Sequence, residues 1–373
     1  MKKTFLTLIA TVCFCISAIA QSNVYFTAEI TPESLVKIFQ TLGVEPSGNV
    51  ALKISTGESA QSNYLRPEFI QNLVDTTNAT IVECNTTYSG SRSTTASHLQ
   101  VIQQRGFTNI ANVDIMDADG EMEIPMQDTA HLLVDVVGSH LANYDFMINL
   151  AHFKGHAMGG FGGVLKNQSI GVASRRGKAL IHSVGQNEIP ERWMQYTSDQ
   201  DGFLECMAGA AQAVHNYFKQ DGKNIVYINV MNNLSVDCDC DGHPSAPQMQ
   251  DVGILASTDP VALDKACLDL VFNHNSTSGD NAQPLINRIN QRHGTHTVEY
   301  AEQIGLGTQQ YTLIDIDNTT GIEDHNLQEP DPESLRYNVF TIDGKKVLNN
   351  ATSLDSLPSG VYIVNGKKMV ITR

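Results

Sequence analysis

Two apolar patterns alternate along the chain. Short continuous apolar runs rich in β-branched residues occupy 49–56 (NVALKIST), 79–85 (ATIVECN), 131–137 (HLLVDVV), 144–153 (YDFMINLAHF), 224–232 (NIVYINVMN) and 251–258 (DVGILAST). Runs of this kind are expected of strands buried on both faces. Between them, 66–77 carries Pro67 in its first turn, 95–105 reads as a helix, and 259–273 is amphipathic with Asp259 placed as N-cap and Pro260 at the first helical position. A shorter strand is expected over 110–115. The alternation predicts an α/β fold, a mostly parallel Rossmann-like sheet with flanking helices. Its ligands should sit at the carboxyl ends of the strands.

Both ends depart from this pattern. Residues 1–20 combine Lys2 and Lys3, an apolar run and a small-x-small ending at Ala18-Ile19-Ala20. They are expected to be a secretory signal peptide with Gln21 first in the mature chain. The apolar run is too short for a membrane anchor, and no later segment is long and apolar enough to span a bilayer. The α/β domain is therefore expected over 21–317. Residues 318–335 are polar, acidic and proline-bearing, as in a linker. In 336–373, alternating runs flank Asp343-Gly344 and Asn365-Gly366, which predicts a small all-β module.

Composition narrows the function. Apolar residues make up 41% of the chain and charged residues 17%, so a packed core is expected. The net charge is −16, or −18 once Lys2 and Lys3 are removed, which argues against a nucleic-acid partner. Of seven cysteines, Cys13 and Cys15 leave with the signal, and the odd remainder does not form a disulfide scaffold.

Against this acidic background, 151–167 (AHFKGHAMGGFGGVLKN) stands out just beyond the strand 144–153. The five glycines Gly155, Gly159, Gly160, Gly162 and Gly163 argue against a helix, so the stretch reads as a loop. Its backbone amides around Gly160, Gly162 and Gly163 could approach an anion closely, although the spacing matches neither a P-loop nor a dinucleotide fingerprint. Lys166, Arg175, Arg176, Lys178 and His182 follow as a local inversion of charge, read as an anion-binding wall. His152 and His156 are metal candidates, and so are Cys238, Cys240 and His243 in VDCDCDGHP. On an extended strand Cys238 and Cys240 would share a face; metal binding, a disulfide and free thiols all stay open. Arg66 and Arg92 follow earlier strands and are further anion-binding candidates.

Several segments in order, NYLRPEF, ECNTTYSGSR, INLAHFKGHAMGGFGGVLKNQSIGVASRRGK and CDCDGHPSAPQMQDVGILASTDPVALDKACLDL, resemble the domain of unknown function 362 family. Many of its members carry a ferredoxin insert after the IHS segment. Here only Cys206 appears between Ser183 and Ala211, so ferredoxin-type iron–sulfur clusters are not expected. HAMGGFGGVLK is also similar to the glycine-rich active-site segment of the nickel-pincer lactate racemases. That resemblance implies proton transfer for His156, a cofactor or anion anchor for Lys166 and a metal-ligand role for His182. The last 40 or so residues resemble the C-terminal sorting domain of the type IX secretion system of Bacteroidota, through Asp343-Gly344-Lys345, LPSGVY and Gly366-Lys367-Lys368. This implies an exported protein, secreted or at the cell surface, that meets the secretion machinery through its tail; without a working tail it would be periplasmic.

Together these features predict a metal-dependent enzyme, using a divalent transition metal, that acts on a small anionic molecule by racemase-like or redox chemistry. A non-catalytic surface binding protein that retains the fold is the alternative.

Overall fold

The computed structural model describes residues 21–317 and, farther on, 337–341, 345–351, 353, 356–358, 360–364 and 367–371. The expected signal peptide, the linker and the two turn dipeptides Asp343-Gly344 and Asn365-Gly366 lie outside the described residues. The chain divides into two compact units, Met1–Asn318 and Thr319–Arg373.

The first unit is built on an eight-stranded sheet. Its strands are β1 (Ser22–Thr27), β2 (Val50–Lys53), β3 (Thr80–Glu83), β4 (Val113–Ile115), β7 (Phe146–His152), β10 (Asn224–Met231), β11 (Gly253–Ser257) and β12 (Tyr311–Asp315), in the order β12-β1-β11-β10-β7-β2-β3-β4. The run β10-β7-β2-β3-β4 is parallel throughout, and so is β1 with β12. Only β11 runs antiparallel to its neighbours β1 and β10. The apolar run 131–137 is a correction to the sequence reading. It contributes β6 (Val134–Gly138), which pairs with β5 (Glu121–Pro125) in a separate antiparallel ribbon.

Strand alternation fixes the two cores. From β7 and β10, Phe146, Ile148, Leu150, Val226, Ile228 and Val230 face the layer of α1 (Pro32–Thr41) and α2 (Pro67–Thr77). Met147, Ala151, Ile225, Tyr227 and Met231 face the other layer, where α6 (Gln200–Tyr217) and α7 (Pro260–Phe272) pack. This two-sided burial explains why the strands read as unbroken apolar runs. No helix among the described residues is long and apolar enough to cross a membrane.

Chain direction across the sheet creates a crevice. From β2 the chain steps to β3 and β4 on one side, then returns to β7 on the other side of β2 and continues to β10. The carboxyl ends of β2 and β7 therefore flank a topological switch point, where ligands bind in open parallel sheets.

The ribbon strand β6 holds a buried acid. Neither carboxyl oxygen of Asp135 has a partner in hydrogen-bond geometry, and burial raises it to about 7. The folded protein thus keeps this proton after the unfolded chain has lost it, and stability falls as pH rises from about 4 through 7. In Asp135→Asn this loss should disappear. Urea titrations at pH 4 and pH 8 should show the variant gaining roughly 2–4 kcal/mol on wild type across that interval.

The second unit is a four-stranded antiparallel sheet. Its strands are β13 (Tyr337–Thr341), β14 (Lys346–Ala351), β15 (Gly360–Val364) and β16 (Lys367–Ile371), in the order β14-β13-β15-β16. Val339, Leu357 and Tyr362 form its small core.

Candidate functional site

Polar residues inside otherwise apolar strands build the site. Asn149 of β7 donates to the Val164 carbonyl at 2.9 Å and to Gln168 Oε1 at 3.1 Å. Asn229 of β10 donates to Asp264 Oδ1 at 2.7 Å. Asp264, on α7, accepts the backbone N–H groups of Val164 and Leu165 at 3.0 Å each. These bonds seat the short helix α4 (Val164–Ser169) by its N-terminal N–H groups, where a carboxylate is favoured. Gly163 leaves the necessary room, because a Cβ there would lie 2.2 Å from Asp264 Oδ1. Helix α4 carries Lys166 toward the crevice.

The stretch read as a loop is a tight hairpin of β8 (Lys154–His156) and β9 (Gly160–Gly162), with Lys154 opposite Gly162 and His156 opposite Gly160. Residues two apart on a strand share a face, so Lys154 and His156 point the same way. Gly155 lets the hairpin press on the segment after β10. Its N–H donates to the Ser235 carbonyl at 2.8 Å, and a Cβ would sit 2.2 Å from the Val236 carbonyl oxygen. Gly162 leaves room for two lysines, with Lys166 Cδ 3.2 Å and Lys154 Cε 3.8 Å from where its Cβ would be.

These elements surround a cleft of about 100 Å³, lined among others by Lys53, Glu83, Arg92, Lys154, His156, Lys166, Lys178, His182, Asp239 and Cys240. The volume suits only a small molecule, and the concentration of cations is unusual for such a site. Lys53 ends β2, Glu83 ends β3, Lys154 follows β7 and Asp239 lies beyond β10, so the cleft sits at the switch point.

Most of the charges are already partnered. Asp239 accepts from His152 Nδ1 at 2.8 Å, and Lys154 Nζ lies 2.7 Å from its other oxygen, an ion pair outside hydrogen-bond alignment. Burial would raise this carboxyl, but Lys154 and His152 outweigh burial and hold it well below the usual range. Arg92 bonds Glu58 Oε2 at 3.0 Å, Glu83 Oε2 at 3.3 Å and the Tyr88 hydroxyl at 3.0 Å. Lys178 donates to the Ala173 carbonyl. Burial lowers Lys53 to about 8 against the opposing pull of Glu83, and its ammonium donates to Ile54 O and to Asn167 Oδ1.

Lys166 is different. Among the described residues its side-chain amine has no hydrogen bond or ion pair, and burial, assisted by the neighbouring Lys154, lowers it to about 7. Two histidines accompany it with opposite tautomers. His156 Nδ1 accepts backbone N–H bonds from Gly159 at 2.8 Å and Met158 at 3.3 Å, so the proton of the neutral ring is on Nε2. His182 Nδ1 donates to the Lys178 carbonyl at 2.7 Å, which leaves a lone pair on Nε2. Burial, then the nearby cations, keeps His156 well below its ordinary value, and burial lowers His182 to about 4. Phe203 stacks on His182 and Trp193 packs against it at a tilt, with ring centroids at 5.1 and 4.5 Å. Both rings are neutral at pH 7, one presenting a donor and the other an acceptor.

The metal candidates separate in space. Among the described residues, His156, Cys238 and Cys240 bring ligand atoms within 4.8 Å of one another. Thiolates and an imidazole suit a borderline-soft divalent ion. In this structure the two sulfurs are joined in a disulfide, within a turn rather than an extended strand, so the set fits a metal only after reduction. Nor does the His156 tautomer offer a lone pair on Nε2. His152 is buried, and both its ring nitrogens face acceptors, Asp239 Oδ1 and the Asn232 carbonyl, leaving none for a metal. His243 is exposed and apart from this set. His182 lines the cleft outside it, with the Nδ1–H···O=C bond that commonly orients a metal-binding imidazole.

Of the anion-binding candidates, Arg92, Gly162, Gly163, Lys166 and Lys178 line the cleft. Arg66 is exposed, stacked 3.8 Å over the Tyr64 ring and bonded to the Ser62 carbonyl. Arg175 bonds the Thr86 carbonyl and Glu191. Gly160 backs onto Gly294 and Ile289. Sequence reasoning missed Lys53 and Lys154. The signal was present, since a lysine in a run as apolar as NVALKIS is out of place on a strand buried on both faces.

No curated protein matches the sequence. Several solved structures are similar, two of them as follows. The lactate racemase apoprotein from Thermoanaerobacterium thermosaccharolyticum shares 13% identity over 66% of this chain and 56% of its own, with a TM-score of 0.38. A Thermotoga maritima protein from a structural-genomics programme shares 10% identity over 73% of this chain and 58% of its own, with a TM-score of 0.35. The chain thus spans less than two thirds of either. The model of the family described as domain of unknown function (DUF362) matches residues 50–269, which include every cleft residue named above, and the chain belongs to that family.

Proposed function

We propose that the protein is an enzyme that binds a small carboxylate in the lysine-rich cleft and moves protons on it with Lys166, His156 and His182. The observation that carries this reading is the unpartnered Lys166 amine beside two neutral histidines of opposite tautomer. Groups shifted in this way inside a cleft are characteristic of acid–base sites. Lys53 and Lys178 supply positive charge for the carboxylate. A non-catalytic binding protein would need charge here, but not opposed tautomers.

A divalent metal would be held by Cys238 and Cys240 once their disulfide is reduced, leaving the two histidines to the substrate. Such an ion would polarise a substrate oxygen. The leader at 1–20 and the sorting-like tail support export, and mass spectrometry of the mature protein beginning at Gln21 would test it.

Thermal melts with lactate, pyruvate, inorganic phosphate and the neutral amide lactamide test the central claim. A carboxylate at a hundred times its dissociation constant should stabilise the protein by about 2.7 kcal/mol, and lactamide should not. In Lys53→Met, carboxylate affinity should fall about tenfold or more. Equal shifts with lactamide, or none with any anion, would refute the reading.

A further inference from the structure

We propose that Lys166 is a Schiff-base-forming nucleophile, and that the cleft takes a carboxylate with a carbonyl at the adjacent carbon, a 2-oxo acid. The proposal rests on the reading of the cleft as a carboxylate site and deepens it.

Two lysines lie side by side over Gly162 with different surroundings. Lys154 Nζ is 2.7 Å from Asp239 Oδ2, whereas Lys166 Nζ has no hydrogen bond or ion pair among the described residues. The charged and titratable groups facing Lys166 come from several elements: Lys53 from β2, Arg92 from the segment after β3, Lys154 and His156 from β8, His182 from α5 (Arg175–His182), and Asp239 from the segment after β10. The one carboxylate in that set is already engaged by Lys154 and His152. Asp264, which packs on α4 from α7, is engaged by the Val164 and Leu165 N–H groups. A protonated Lys166 would be one more cation, without a counter-charge of its own, beside the buried Lys53, Arg92, Lys154 and Lys178. The amine is therefore favoured, and an amine freed by a neighbouring cation is the form that attacks carbonyl carbon. A hydroxy acid would leave that lone pair unused.

The histidines supply what imine formation needs. The Nζ lone pair forms a bond to the carbonyl carbon while the C=O pair moves onto oxygen, which the His156 Nε2–H stabilises by hydrogen bonding. His182 Nε2 accepts the two Nζ protons in turn and passes each to that oxygen. The C–O bond then breaks, water leaves, and a C=N bond remains. Amine and carbonyl become imine and water, with no oxidant or reductant.

Full-length mature protein incubated with pyruvate and reduced with sodium borohydride provides the test. Intact mass should rise by one pyruvic acid less one oxygen atom, and peptide mapping should place the adduct on Lys166 ahead of the exposed lysines. Lys166→Arg, which keeps a cation, should lose the adduct. Should that variant fail to fold, peptide mapping of wild type decides alone. Pyruvate that stabilises the protein in melts but leaves no adduct, or labels other lysines equally, overturns the Schiff base and leaves the carboxylate site standing. No stabilisation by pyruvate or lactate, and no adduct, overturns both.

Discussion

Asp239→Ala should destabilise the α/β unit by about 3–5 kcal/mol, the usual cost of removing one partner from a buried charge pair. Asp239 is 1% exposed and is the carboxylate partner of both Lys154, at 2.7 Å, and His152, at 2.8 Å. Without it, Lys154 stays buried with no counter-charge beside Lys53, Lys166 and Lys178. His152 loses the bond on one nitrogen and keeps only the Asn232 carbonyl. Chemical denaturation monitored by circular dichroism would measure the loss. The pH dependence separates this cause from simple cavity formation. Asp239 is depressed in the folded state, so its contribution is complete above the unfolded value near 4 and declines as pH falls toward the folded value. The gap between wild type and variant should therefore narrow below about pH 4, whereas a cavity would cost the same at both ends. The double variant Asp239→Leu/Lys154→Met should recover much of the loss, because apolar replacement of both partners is often neutral. A single-variant cost under about 1 kcal/mol would mean that the pair is not coupled.

The sequence reading succeeded where chemistry and periodicity coincide. Runs such as YDFMINL are strands because both faces are buried, and their order along the chain already implied the crevice beyond β7. His156 and Lys166 were legible because they follow such a strand. Three things depended on space rather than sequence. The glycines of 155–163 suggested a loop, but they serve close approach: Gly155 to the Val236 carbonyl, Gly162 to two lysines and Gly163 to Asp264. The basic residues near 175–182 looked like one wall, yet a helix turns them apart, with Lys178 and His182 on the cleft and Arg175 reaching Thr86 and Glu191. The acids around Cys238 and Cys240 suggested a cation beside thiols. Asp239 instead balances Lys154 and His152, and the sulfurs bond each other. A lysine and an aspartate 85 residues apart leave no periodic trace.

The largest kinetic effect should come from His182. On a carboxylate selected by the binding experiments, His182→Ala should lower kcat by about 10²- to 10⁴-fold with little change in KM, the usual contribution of a positioned proton carrier. The pH–rate profile shows which group sets which limb. Lys166, at about 7, must be unprotonated to act, so kcat/KM should rise with pH through about 7. Lys53, at about 8, must be protonated to hold the carboxylate, so kcat/KM should decline above about 8 through KM. His182, at about 4, adds no limb in that range. His182→Ala should therefore lower the whole profile without moving its limbs, and added imidazole should restore part of the rate. Lys154→Met makes the opposite change. It removes the cation beside Lys166 and frees the Asp239 carboxylate to attract it, so the acid limb should move up toward the ordinary lysine value. A His182→Ala profile with a shifted limb and an unchanged plateau would mean that the ring only positions Lys166 and carries no proton.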